Sequence, residues 1–221
     1  MSPTAIRELI CSLEDIETQL GLTPNGDDTF FVESFPSIDA IADPDRTSLD
    51  QLRDRFLYHW RAGKVDEGVV NLLMISPLLE LAGFYEPPFR MRAEVPVIIE
   101  SQVEGTTLRG RIDFLVVHQR FWRAIIESKD TTYDVSVAIP QTLAYMVGAV
   151  QNDWPLYGFV TNGSHFLFLK VQKQNEQIFY GLSDEFALRS RPNSLYSVLS
   201  ILRQLANKIA ESTTMMNPTP A

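Results

Sequence analysis

The chain has 221 residues, 45% of them hydrophobic, enough for one domain with a sizeable core. Its formal net charge of −9 argues against an overall electrostatic grip on nucleic acid. One cysteine, Cys11, excludes an internal disulfide and fits a reducing, cytoplasmic setting. The charge is unevenly placed: residues 1–50 hold eleven Asp/Glu and two Lys/Arg, whereas residues 51–221 hold 17 of each sign. Seven basic residues fall between Arg90 and Lys129.

"MSPTAIRELI" lacks the basic start and apolar run of a secretory signal. "IRELICSLEDIETQL" has apolar residues at helical spacing, closed by Gly21, and predicts a first helix. Residues 21–48, rich in Pro, Asp and Ser, read as a long loop or short pieces. "SLDQLRDRFLYHW" predicts a helix capped by Ser48. "KVDEGVVNLLMISPLLELAGF" predicts a third helical region, bent near Pro77 and stopped by Gly83. Its apolar run is broken by Asn71, Ser76, Pro77 and Glu80, so it is core, not a membrane span.

The pattern then turns to strands: "AEVPVIIESQV", "TTLRGRIDFLVVH" and "FWRAIIESK", with turns at Glu104-Gly105 and His118–Arg120. A helix follows over about Ser136–Gln151. "LYGFVT" and "SHFLFLKVQ" flank Asn162-Gly163, a hairpin signal. "QIFYGL" adds a strand, "LYSVLSILRQLANKIAE" a closing helix, and "STTMMNPTPA" a fraying tail. This order predicts an α/β fold, a mixed β-sheet flanked by helices, with an N-terminal helical segment. The expected division is an acidic segment 1–50, a main domain 51–212 and a tail 213–221.

Side chains alternate along a strand, so Arg123, Ile125, Glu127 and Lys129 share one face, as do Arg111, Asp113, Leu115 and Val117. A short turn pairing Val117 with Phe121 places Asp113 opposite Ile125 and Glu127 diagonally, roughly 7–8 Å away. Two carboxylates suit a hard cation such as Mg²⁺ or Mn²⁺. Lys129 beside that cation can position a water and offset developing negative charge. Asp…Glu-X-Lys is therefore coherent chemistry for phosphodiester hydrolysis. Glu-X-Lys alone equally describes a surface ion pair. Asp113 strengthens the constellation, because an acid inside an apolar strand needs a partner. Gln141 and Tyr145, four apart, share a helix face from which they can bind phosphate oxygens or orient a metal site.

"GRIDFLVV … AIIESKD … QTLAY" resembles the core of the PD-(D/E)XK nucleases, in particular the N-terminal nuclease domain of type I restriction enzyme R subunits and its free-standing relatives. The resemblance covers roughly residues 64–172. It implies a restriction-endonuclease-like fold and a Mg²⁺-dependent deoxyribonuclease, with Asp113 and Glu127 as metal ligands. It implies catalytic roles for Lys129 and for an acid on the preceding helix, Glu67, with Glu80 the other candidate. Gln141, Tyr145 and Arg111 become candidate substrate-binding residues. Ile112 stands where the family name has Pro. No Gly-X4-Gly-Lys-Ser/Thr loop is present, so a motor or specificity subunit is an expected partner. The alternative is a silent nucleic-acid-binding or regulatory module of the same fold. His59, His118, His165 and Cys11 show no zinc spacing, and Trp60, Trp122 and Trp154 read as core or sheet-face aromatics.

Overall fold

Both apolar periods in the sequence find their place in a computed structural model that describes residues 4–38, 41–100, 106–118, 121–150 and 153–214. The expected turns at Glu104-Gly105 and at residues 119–120, and the tail from residue 215, lie outside these residues. A short strand β1 (Thr4–Ala5) leads into α1 (Ile6–Leu9) and α2 (Leu13–Leu20), two helices where one was expected. The break is chemical: the Ser12 hydroxyl accepts the Asp15 amide while the Asp15 carboxylate accepts the Ser12 amide. This capping box starts a new helix. Gly21 ends α2 in the left-handed conformation.

The expected loop 21–48 holds more structure. Leu22–Pro24 forms β2, Val32–Ser34 a 3-10 turn, and Asp43–Arg61 a helix, α3, that starts five residues before Ser48. Pro44 supplies the first turn of α3, and Ser48 Oγ donates back to the Pro44 carbonyl instead of capping. The third helical region is α4 (Glu67–Val70), a π turn (Asn71–Ile75) and α5 (Ser76–Leu81). Pro77 has no amide to continue the regular ladder, and the widened turn lies just before it.

The strands follow as β3 (Phe89–Glu100), β4 (Thr107–His118) and β5 (Phe121–Ser128), then helix α6 (Ala138–Ala149). After it come β6 (Leu156–Thr161), β7 (His165–Gln174), β8 (Gln177–Leu182), β9 (Phe186–Ala187) and helix α7 (Leu195–Thr214). They make one nine-stranded mixed sheet of order β1-β4-β5-β6-β7-β8-β2, with β3 also on β4 and β9 on β7. β5 and β6 are parallel, which requires the crossover that α6 provides. This is the mixed α/β class expected.

Two hydrophobic cores sandwich the sheet. Helices α3, α4, α5 and α7 cover Val116, Ala124, Ile126, Phe159 and Phe168, while α1, α2 and α6 cover Leu115, Ile125, Val160 and Leu169. The acidic N-terminal residues join this body. β1 pairs with β4, and β2 pairs with β8 at the other end of the strand order. Between them Glu33 is buried against Lys170 of β7, at 3.0 Å. Among the described residues, no helix is long and apolar enough to cross a membrane.

Candidate active site

The site lies where β4 changes partners. One edge of β4 pairs with β1 at Leu108 and Arg109, and with β5 from Phe114 to His118. The amides between would be left bare, and buried amides need acceptors. Side chains fill the gap: the Arg111 amide donates to Tyr145 Oη at 3.2 Å, and the Asp113 amide to Glu127 Oε1 at 3.3 Å. The fork in the sheet is therefore lined by Tyr145 and Glu127, two of the candidate site residues. It sits at the carboxyl end of β5, beside the parallel strand β6, a usual ligand crevice of open α/β sheets.

The register differs from the expected one. His118 pairs with Phe121, Val117 with Trp122 and Val116 with Ala124, so Arg123 is an extra residue in a β-bulge. Leu115, not Asp113, lies opposite Ile125. Continued one step past Phe114 and Ile126, the register sets Asp113 across from Glu127, closer than the diagonal position expected. The pairing of His118 with Phe121 shifts the register by one and the bulge by another. Two single shifts restore parity, and both acids stay on one face.

Glu127 is 1% exposed. Its Oε2 is buried with no hydrogen-bond partner among the described residues, and the Lys129 ammonium lies 3.8 Å away, an ion pair beyond hydrogen-bond distance. Burial first, then the Asp113 charge, pushes the Glu127 carboxyl well above its usual range, and Lys129 only partly offsets this. Asp113 is held from the neighbouring strand: Ser128 donates to its Oδ2 from the amide at 2.8 Å and from the hydroxyl at 3.0 Å.

Glu67 begins α4, and that helix is strapped to the segment after β5. Thr131 and Val65 exchange hydrogen bonds of 3.2 and 3.0 Å, and Lys64 pairs with Asp130 at 3.1 Å. Glu67 is solvent-accessible, yet desolvation and the Asp113 charge raise its pKa, with Lys129 acting oppositely. Among the described residues no three His, Cys, Asp or Glu side chains gather to hold a metal. The Glu67 charge is felt at both Asp113 and Glu127. Glu80 is exposed on α5.

Tyr145 is buried, and its Oη accepts from Gln141 Nε2 at 2.6 Å as well as from Arg111. Burial, then the Glu127 charge, pushes the phenol up to about 12, so it keeps its proton. Gln141 and Tyr145 therefore brace β4 at the fork. The Arg111 guanidinium is exposed and pairs with Glu94. Two participants went unseen in the sequence. Ser128 reads there as the indifferent middle of Glu-X-Lys. Gly110 gives only a faint signal, next to Arg111. A Cβ on Gly110 would come within 2.4 Å of Tyr145 Cε1. Gly110→Ala is expected to cost about 1–3 kcal/mol in urea denaturation, with altered Tyr145 fluorescence.

The donor set fits a divalent cation: hard oxygens, one of them buried, unpartnered and short of positive charge. No model of a known protein family matches the chain, and no curated protein does. Solved structures that are similar in outline include a fragment named as an HsdR subunit of a type I restriction enzyme from Vibrio vulnificus YJ016, with 16% identity and a TM-score of 0.39. The match covers 66% of this chain and 26% of that one.

The raised pKa of Glu127 has a pH consequence. A carboxyl that binds its proton more tightly when folded stabilises fully below its ordinary value of 4.5. That stability is lost as pH rises through the raised folded value. Metal-free protein should therefore melt at lower temperature as pH rises above 4.5. Glu127→Gln should flatten that fall and gain roughly 1–3 kcal/mol at pH 8, while abolishing the stabilisation that Mn²⁺ gives the wild type. Melting curves across pH, with and without Mn²⁺, check both signs.

Proposed function

We propose that this protein is a metal-dependent nuclease of the PD-(D/E)XK type that hydrolyses DNA phosphodiester bonds, in restriction or a related defence role. The observation that carries the reading is the buried, unpartnered Glu127 Oε2, with Asp113 across the ladder and Lys129 alongside. Asp113 and Glu127 would hold Mg²⁺ or Mn²⁺. When bound, the cation supplies Lewis-acid activation of a water and of a phosphate oxygen. Lys129 orients the water and stabilises negative charge on the phosphate. Glu67 adds negative charge over the pair and favours cation occupancy. Tyr145, braced by Gln141, keeps β4 in place. Arg90, Arg92, Arg109 and Arg111 stand exposed on the β3–β4 arms, suited to backbone phosphates despite the acidic whole. Translocation or sequence reading would come from a partner subunit.

The test incubates purified protein with linear, supercoiled and single-stranded DNA plus Mg²⁺ or Mn²⁺, beside Lys129→Ala and Asp113→Ala. Cutting by the wild type alone, only with metal, supports the reading. Tight DNA binding without cutting in either metal replaces it with a regulatory module.

A further inference from the structure

Each of the two acids is half occupied. Asp113 Oδ2 is taken twice by Ser128, and Glu127 Oε1 by the Asp113 amide. Asp113 Oδ1 accepts no hydrogen bond among the described residues, and Glu127 Oε2 accepts none. One oxygen of each carboxylate therefore remains for a ligand. Ser128 is 0% exposed, so no bulk water competes for its hydroxyl. Its backbone is fixed independently, since Ser128 pairs with Thr161 of β6 and the next amide, of Lys129, donates to the Thr161 carbonyl at 2.9 Å.

We propose that Ser128 is a positioning residue that makes Asp113 a single-oxygen ligand. An Asp carboxylate turns about a broad, two-fold torsion. A two-donor lock on Oδ2 removes that freedom and leaves Oδ1 to the cation. Single-oxygen ligation leaves room for the several waters that Mg²⁺ and Mn²⁺ retain. A loosened carboxylate can bind through both oxygens, which suits the larger, more flexible shell of Ca²⁺. The hydroxyl thus sets both affinity and cation choice. This inference rests on the metal-site reading above.

The experiment is calorimetric titration of Mn²⁺, and separately of Ca²⁺, into wild type, Ser128→Ala and Ser128→Cys, with metal-free melting curves alongside. Loss of an outer-shell partner typically weakens metal binding about 10–100-fold. Ser128→Ala, which keeps the amide bond, should therefore lose about tenfold for Mn²⁺ and less for Ca²⁺. A purely structural role would lower the metal-free melting temperature and leave the Mn²⁺ to Ca²⁺ ratio unchanged. Should the Ala variant fail to fold, the Cys variant decides, since it fills the site with a poor donor. Unchanged Mn²⁺ affinity in a folded variant overturns the role of Ser128 alone. A wild type that binds no Mn²⁺ overturns the metal site itself and this inference with it.

Discussion

Lys129→Ala is expected to lower metal-dependent DNA cleavage by about 10²–10³-fold while leaving Mn²⁺ bound. The ammonium stands 3.8 Å from Glu127 Oε2 with its side chain 20% exposed, so it faces both the carboxylate pair and solvent. Preorganised charge at such a boundary is worth more than in water, because part of its surroundings is protein. The two acids remain in this variant, so the proposed cation would keep its ligands. Asp113→Ala is expected to differ by losing both Mn²⁺ binding and cleavage. That contrast separates a group acting on the reaction from one holding the metal. Lys129→Ala protein that cuts within tenfold of wild type would remove Lys129 from the chemistry.

Lys170→Met is expected to destabilise the fold by about 3–5 kcal/mol, because it strands a buried carboxylate. Lys170 Nζ donates to both oxygens of Glu33, at 3.2 and 3.0 Å, and to the Phe30 carbonyl at 2.7 Å. Tyr157 adds a bond to Glu33 Oε1 at 3.1 Å, and burial raises the pKa of that phenol. Neither charge has water to fall back on. The double variant Glu33→Leu/Lys170→Met should recover part of the loss, since removing both partners leaves no orphan charge. Lys173 and Glu176 make an equally short pair at 2.8 Å, but Glu176 is 89% exposed. Lys173→Met should therefore change stability by less than about 1 kcal/mol. Urea denaturation compares the three. Similar losses for Lys170→Met and Lys173→Met would show that the N-terminal segment is not held by this pair.

Much of the molecule was legible before its folding. Period-two runs announced the central strands, Asn162-Gly163 the β6–β7 hairpin, and Gly21 and Gly83 the ends of α2 and α5. These signals are local, set by the rotamers and dihedrals of neighbouring residues. The nearness of Asp113, Glu127 and Lys129 was legible too, because charged groups ending apolar strands are costly without a partner. The acidic start misled. Composition marked residues 21–48 as loop, yet β2 is held by pairing with β8 and Glu33 by Lys170, partners about 140 residues or more away. Composition cannot encode a partner that far off.

The amino-acid order alone determined which chemistry was present: two acids, an amine, an amide and a phenol on elements of known period. Only the tertiary structure decided that they meet. The bulge at Arg123 restores the parity that the pairing of His118 with Phe121 would otherwise break, and with it the shared face of Asp113 and Glu127. The fork in β4 then converts unpaired amides into bonds with Glu127 and Tyr145. A single-residue insertion reads as nothing in a sequence pattern, but in a ladder of period two it exchanges the faces of every residue beyond it.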